Sequence, residues 1–378
     1  MNGRKALPVS AAIGLAVLAA GMAPSTAPTP DAPLVKTFRA DCAAKATAAK
    51  NADTMTAVGK DGWLFFATEL WHVSLGKFWG EQAGKLPRLY GDIAWSLKPE
   101  YADPLPAILD FKEQLDKLAI ELVMVPVPPK AFVYPDMICD AIKPDAEGRV
   151  PRLDADHREF YRVLEDKGVR VLDMTDVFLK LRAEKGAASL YCKQDTHWSG
   201  AACVLTAGRV AGLVKDRPWL KDLPKLKLAA QDNTIEITGD LWNAVKDAKP
   251  PKEKLAVRQV GTKTDSGLEL VESDKNSPVL LLGDSHCLVF HAGMELHGKG
   301  AGLADQLAME LGIAIDVLGV RGSGATPSRI NLYRRAKADN DYLGRKKLII
   351  WCLGAREFTE STGWRNVPVK PAPEPTSQ

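Results

Sequence analysis

The sequence predicts an α/β protein of three layers, a parallel sheet covered by helices on both faces and interrupted by a β-rich insertion. Short apolar runs at 121–127, 169–174, 279–282, 313–318 and 348–352 have the length and density of strands buried on both sides. Stretches of helical period lie between them, as the crossover connections of a parallel sheet require. Over 217–277 the pattern changes. There 234–238 and 267–271 alternate as exposed strands do, and prolines and lysines cluster at 246–254.

Residues 1–25 carry Arg4 and Lys5 ahead of an alanine-rich apolar stretch at 6–20. A cationic start before a short apolar core reads as a secretion signal. Pro24, Pro28 and Pro30 crowd its exit and leave an uncleaved membrane anchor as the alternative. Either one places the body of the chain outside the cytoplasm. Residues 26–56 read as a proline-rich extended linker followed by a helix over 35–50 that contains Cys42.

The main domain is expected over 57–366. A Lys60-Asp61-Gly62 turn leads into an aromatic strand, and Trp63, Trp71, Trp79 and Trp95 follow closely, read as packing residues ahead of sugar-stacking platforms. Asp103 starts a helix in which Ile108, Phe111, Leu115 and Leu118 follow the period of about 3.6 residues. After the strand at 121–127 come a helix at 157–167 stopped by Gly168, the strand at 169–174, a strand region at 189–192 and an amphipathic helix over 199–215. Beyond the insertion, the strand at 279–282 is expected to run into a helix from about 288. A helix at 302–311, the strand at 313–318, a glycine turn at 320–325, a polar helix to 335 and the strand at 348–352 complete the sheet. Residues 367–378 are proline-rich and expected to be disordered.

The 378 residues, 46% hydrophobic and 26% charged, suffice for one large core and give no sign of overall disorder. Net charge is +3, and falls to +1 without Arg4 and Lys5, so charge makes no case for nucleic acid. Six cysteines are compatible with disulfides in an oxidising compartment, yet their spacing has no C-x-x-C and no zinc pattern. Each one singly reads best as a small buried hydrophobe.

The chemistry gathers on two stretches. Gly283-Asp284-Ser285 ends an apolar strand, and a serine there stands at the strand's carboxyl end with its Oγ exposed and its N–H available to an oxyanion. Lys193-Gln194-Asp195-Thr196-His197-Trp198-Ser199 offers a base with its orienting carboxylate. Asp195 and His197 are two apart, so on an extended segment they lie on one side. Asp195 at Nδ1 leaves Nε2 of His197 for the nucleophile. Alone, each residue is an ordinary turn or surface residue; together they make a Ser285–His197–Asp195 triad the preferred reading. His286 is expected to point away from the serine, and His291 and His297 to lie along the following helix. No cysteine or carboxylate pattern beside them suggests a metal, and no cofactor is expected.

The segments Val58-Gly-Lys-Asp-Gly-Trp-Leu-Phe65, Val125-Pro-Val-Pro-Pro-Lys130, Asp195-Thr-His-Trp198 and Gly283-Asp-Ser285, in that order, resemble the periplasmic alginate O-acetyltransferases of the AlgJ and AlgX type. These are SGNH-hydrolase-like proteins, and the similarity covers about 58–356. Ordinary SGNH hydrolases carry the serine first and the Asp-x-x-His last, so the order here resembles the circularly permuted arrangement of this family. The chain ends soon after its last strand, which fits the AlgJ type better than the AlgX type with its carbohydrate-binding module.

The resemblance implies transfer of acetyl to hydroxyls of alginate or another exported polysaccharide through an acetyl-serine. It implies a membrane-bound O-acyltransferase as the acetyl source, a periplasmic location and association with the inner membrane. It carries over Asp195, His197 and Ser285 as the triad. The Ser285 N–H and the turn Arg321-Gly322-Ser323-Gly324 are the candidates for an oxyanion hole. Arg321 and Lys130 are candidates to meet uronate carboxylates, with Trp198 as a further substrate contact. Two alternatives stay open: a carbohydrate esterase using the same triad with water as acceptor, and a non-catalytic scaffold of a polymer-export complex.

Overall fold

Along Leu348–Gly354 every residue is buried, and alternate side chains enter two different cores. Leu348, Ile350 and Cys352 join one, while Ile349, Trp351 and Leu353 join the other. A strand of this kind has helices on both sides. The computed structural model of the protein describes residues 30–90, 98–245 and 251–370.

In chain order its strands are β1 (Thr56–Val58), β2 (Leu64–Phe66), β3 (Glu121–Val127), β4 (Arg170–Val171), β5 (Ala229–Ile237), β6 (Glu253–Thr264), β7 (Gly267–Leu270), β8 (Val279–Gly283), β9 (Asp316–Gly319) and β10 (Leu348–Gly354). Five of them form a parallel sheet in the order β4-β3-β10-β8-β9. β10 takes the centre, in register with β3 from Leu348↔Glu121 to Gly354↔Val127 and with β8 from Leu348↔Val279 to Cys352↔Gly283. Helices Ala32–Asn51, Gly200–Val214 and Leu303–Leu311 cover one face. Pro104–Asp116, Ala155–Asp166 and Thr326–Ala338 cover the other. Each buried leucine or isoleucine contributes about 1.5–3 kcal/mol, so the two-sided sheet dominates the stability.

Local signals set the helix starts. Asp103 accepts the Leu105 N–H at 3.0 Å, and Ser199 accepts the Ala202 N–H at 3.4 Å, each satisfying a donor that the first turn leaves free. The predicted α/β/α layering is present, and the insertion is a three-stranded antiparallel sheet in the order β5-β6-β7.

Several local expectations are corrected. The strand at 169–174 shrinks to two residues because the Asp173 carboxylate takes the Thr175 N–H at 2.9 Å and starts helix Thr175–Arg182. Residues 189–192 join no sheet; Tyr191 makes an isolated bridge to Trp198 and closes a tight loop. The helix expected from 288 is replaced by a loop running to 302 that contains two 3-10 turns, Ser285–Cys287 and Met294–Leu296. Phe290, Gly293, Met294 and His297 in that loop have φ of 60°, 75°, 54° and 73°, which no right-handed helix accommodates. Val367 and Val369 are buried, and the Val369 N–H donates to Gln114 Oε1 at 2.7 Å, so 367–370 are packed rather than disordered.

All six cysteines are buried free thiols. The signal or anchor segment, Trp95, residues 246–250 and the tail beyond 370 lie outside the described residues. No described helix is long and apolar enough to cross a membrane.

Candidate active site

The nucleophile turn leaves β8 at Gly283, whose φ is 156°; a Cβ there would sit 1.6 Å from the Cys352 carbonyl oxygen. Only glycine lets the backbone pass so close to β10. The Asp284 N–H donates to the same carbonyl at 3.2 Å. The Asp284 carboxylate completes the brace: Oδ1 accepts the N–H and the Nδ1–H of His286, both at 2.9 Å, and Oδ2 accepts the Gly354 N–H at 2.7 Å. Ser285 is thereby fixed beyond the carboxyl end of the sheet, 8% exposed.

The loop closed by Tyr191 and Trp198 presents the base. Asp195 Oδ1 accepts both the His197 N–H at 3.0 Å and its Nδ1–H at 2.6 Å. The segment is bent, not extended: the carboxylate folds over its own chain as in an Asx turn. With the proton on Nδ1, His197 Nε2 accepts the Ser285 hydroxyl at 2.7 Å. Asp195 Oδ2 accepts the Asp240 N–H and His297 Nε2–H, each at 2.9 Å.

The antiparallel insertion clamps this loop. Asp240 follows β5 and its carboxylate takes the Thr196 N–H at 2.8 Å and the Thr196 hydroxyl at 2.7 Å. Glu253, at the start of β6, accepts the N–H groups of Lys193 and Gln194 at 3.0 and 3.3 Å.

Charge follows from these contacts. Burial would lower His197, but the Asp195 charge and its hydrogen bond dominate and raise the imidazole above its ordinary value, with Asp240 and Asp284 adding to them. Burial would raise Asp195, yet His197 and the bonds from His197 and His297 hold it well below the usual carboxylate range. His286 goes the other way, because its burial outweighs the Asp284 charge. Asp195, His197 and Asp240 bring potential metal-ligand atoms within 4.8 Å of one another. Both Asp195 oxygens and both Asp240 oxygens already receive N–H or O–H donors, and His197 faces Asp195 and Ser285, so the cluster is built as a proton relay.

The structure thus brings Ser285, His197 and Asp195 into one hydrogen-bonded chain, and does not bring the other expected residues to a groove. Lys130 is buried, its Nζ donating to the Leu64 and Asp195 carbonyls at 2.9 and 2.6 Å; it holds the base loop from beneath. Trp198 is fully buried, edge-on to His286 with centroids 5.6 Å apart. Both are corrections, since an ammonium or indole placed inside the core contacts the scaffold. Arg321 is exposed and pairs with Glu295 at 3.0 Å. Its turn lies against the nucleophile: a Cβ on Gly324 would sit 2.5 Å from the Asp284 nitrogen.

The sequence gives Asp240 and Asp284 no role of their own and sets His286 and His297 aside; the structure puts His286 on Asp284 and His297, on a loop and not the expected helix, on Asp195. For Asp284 and His286 a signal was present, because Asp284-Ser285-His286 repeats the spacing of Asp195-Thr196-His197. Nothing local marks Asp240 or His297.

A parallel α/β/α sheet that ends on Gly-Asp-Ser, with an Asp-x-His loop beside it, defines an SGNH-hydrolase-like protein. A family model described as "SGNH hydrolase-like domain, acetyltransferase AlgX" matches residues 56–354. The chain belongs to that AlgJ/AlgX family.

Among curated relatives, the probable alginate O-acetylase AlgJ of Pseudomonas fluorescens is 27% identical over 183 residues, spanning 46% of this chain and 44% of the relative. The protein of the same description from Azotobacter vinelandii is 23% identical over 239 residues, 58% of each. The chain therefore spans about half the length of the curated relatives it matches. In structure, the O-acetyltransferase domain of Pseudomonas putida AlgJ superposes with a TM-score of 0.56 at 18% identity, over 82% of this chain and 94% of that one. Pseudomonas aeruginosa AlgX gives 0.57 at 16% identity, over 82% and 65%. At these identities the structural likeness speaks for the fold.

Proposed function

We propose that this protein is a polysaccharide O-acetyltransferase that works through an acetyl-Ser285 intermediate. The observation that carries the reading is the 2.7 Å contact between Ser285 Oγ and His197 Nε2 at the end of a buried relay from Asp195. In the first half-reaction Ser285 Oγ attacks the acetyl carbonyl while Nε2 takes the hydroxyl proton. The oxyanion collapses, the bond to the donor oxygen breaks, and the imidazolium returns the proton to that oxygen. In the second, an acceptor sugar hydroxyl loses its proton to His197, attacks the acetyl-serine carbonyl, and Ser285 leaves reprotonated. Asp195 stabilises the imidazolium in both halves.

The Ser285 and Gly324 N–H groups are the proposed oxyanion donors; neither donates to another described residue. Arg321, exposed on the same turn and paired with Glu295, is the proposed partner for an anionic sugar unit. Family membership and the descriptions of the relatives support acetyl as the group and alginate or a similar polymer as the acceptor. A membrane-bound O-acyltransferase as donor and an exported, periplasmic site of action belong to the same proposal, resting on the N-terminal pattern and the resemblance.

Mass spectrometry of the protein after brief exposure to p-nitrophenyl acetate, with and without an oligosaccharide acceptor, tests this. Acetyl found on Ser285, absent in Ser285→Ala and passed to the sugar, is the expected result. Acetyl released only to water indicates an esterase, and no labelling in wild type overturns the catalytic reading.

A further inference from the structure

We propose that His297 is a positioning residue for the base, holding Asp195 from its far side. The proposal rests on the triad reading above and extends it by a residue more than a hundred positions from Asp195 in the chain.

Asp195 carries two oxygens, and a base needs one of them locked on Nδ1 of His197. Oδ1 is so engaged at 2.6 Å, and Oδ2 accepts His297 Nε2–H and the Asp240 N–H, both at 2.9 Å. With donors on both sides the carboxylate cannot swing out of the imidazole plane, so its orientation is fixed before substrate arrives.

The loop passes through three non-glycine residues at positive φ, Phe290, Met294 and His297. His297 sits at φ 73°, a region that β-carbon sterics disfavour for any residue but glycine. Such a conformation persists where the surroundings enforce it, and it clusters at functional sites. The surroundings are specific: the His297 N–H donates to Met294 O at 3.0 Å, the Phe290 N–H to Leu296 O at 2.8 Å, and the Gly293 N–H to Gly298 O at 2.8 Å. The His297 ring packs on Phe290 at 5.9 Å between centroids, and Phe290 itself has φ 60°. The loop also begins only a few residues after Ser285, so nucleophile and carboxylate support are parts of one segment.

Removing this donor has a direction. A carboxylate stripped of a hydrogen-bond donor holds more negative charge and stabilises the neighbouring imidazolium more strongly. The other groups acting on His197 are Asp240 from the insertion, Asp284 and the His286 ring from the nucleophile turn, and Glu69 from beneath; none of them changes in a His297 variant.

The test is the pH profile of p-nitrophenyl acetate turnover and Ser285 acetylation in the full chain, for wild type, His297→Phe, His297→Gln and Ser285→Ala. His297→Phe is expected to lower kcat about 10- to 100-fold with little change in KM, and to move the acidic limb of the profile to higher pH. His297→Gln keeps an N–H donor at the reach of Nε2, and is expected to restore most of the rate and the position of the limb. A low-field proton resonance from His197 Nδ1–H, sharp in wild type and His297→Gln and broadened by motion of the carboxylate in His297→Phe, reports the loss of positioning directly.

Equal rates and unmoved limbs in both His297 variants, with Ser285→Ala inactive, overturn the role of His297 alone. The same holds if His297→Phe and His297→Gln lose thermal stability and rate together with no shift of the limb. Turnover that survives in Ser285→Ala overturns the triad, and this assignment with it.

Discussion

His197 and His286 meet edge-on with ring centroids 5.1 Å apart, and each is held at Nδ1 by the aspartate two residues before it. The two Asp-x-His units have the same internal hydrogen bonds but opposite electrostatics. His197 is raised above the ordinary imidazole value, while burial, with Arg356 and His197 as positive neighbours, lowers His286. Two adjacent imidazoles pushed apart in this way divide the labour: one takes the proton and the other stays neutral as a brace.

The pH dependence of catalysis follows. His197 must be neutral to accept the serine proton, and its raised value places the acidic limb of kcat/KM above pH of about 6.5. Asp195→Asn removes the main raising influence, so the limb moves down while the rate falls about 10²- to 10⁴-fold. Stopped-flow acetylation across pH reads both effects.

Gly283→Ala sets a β-carbon into the Cys352 carbonyl at 1.6 Å, with β8 and β10 locked in register on either side. No rotamer relieves a backbone collision. The expected loss is about 4 kcal/mol or failure to fold, seen in chemical denaturation and in yield.

Lys130→Met leaves the Leu64 and Asp195 carbonyls without their buried donor. At about 1–3 kcal/mol for each of the two orphaned acceptors, thermal unfolding should show a loss of about 2–6 kcal/mol. The rate of Ser285 acetylation falls with it, because Asp195 loses its support from below.

Glu357 makes stability depend on pH. Burial raises its carboxyl to about 7, against the lowering effect of Arg356, and its oxygen accepts the Ser323 hydroxyl in the turn beside Ser285. A carboxyl raised on folding contributes stability that is complete below the unfolded value of about 4.5 and is lost as pH rises through about 7. Glu357→Gln should flatten that decline, recovering about 3 kcal/mol at pH 8 in denaturant titrations.

The layered sheet was legible because β3, β8 and β10 are continuous apolar runs, as strands buried on both faces must be. β6 was not, since its residues Glu253–Thr264 mix buried Leu255, Val257 and Val260 with lysine, arginine and threonine on a sheet half open to solvent. Asp195, His197 and Ser285 could be found because each lies in a short motif whose spacing has chemical meaning. Asp240 and His297 meet Asp195 only through tertiary folding. Lys130 misled for a related reason: a lysine is presumed to face water, and only the packing of β2 against the base loop reveals two carbonyls that need an ammonium. The turn after Ser285 misled because an apolar stretch looks helical until its left-handed positions are known.

The middle strand of the sheet is the last of the described strands in chain order. Before β10 exists, β3 pairs only with β4 and β8 only with β9, leaving two separate ribbons with raw edges. Its arrival joins them, and the Cys352 carbonyl and Gly354 N–H that fix Asp284 arrive in the same step. Assembly of the reactive centre therefore waits until Leu348–Gly354 has joined the sheet. A chain interrupted anywhere before Leu348 has a serine, a histidine and an aspartate, but no frame to set them against one another.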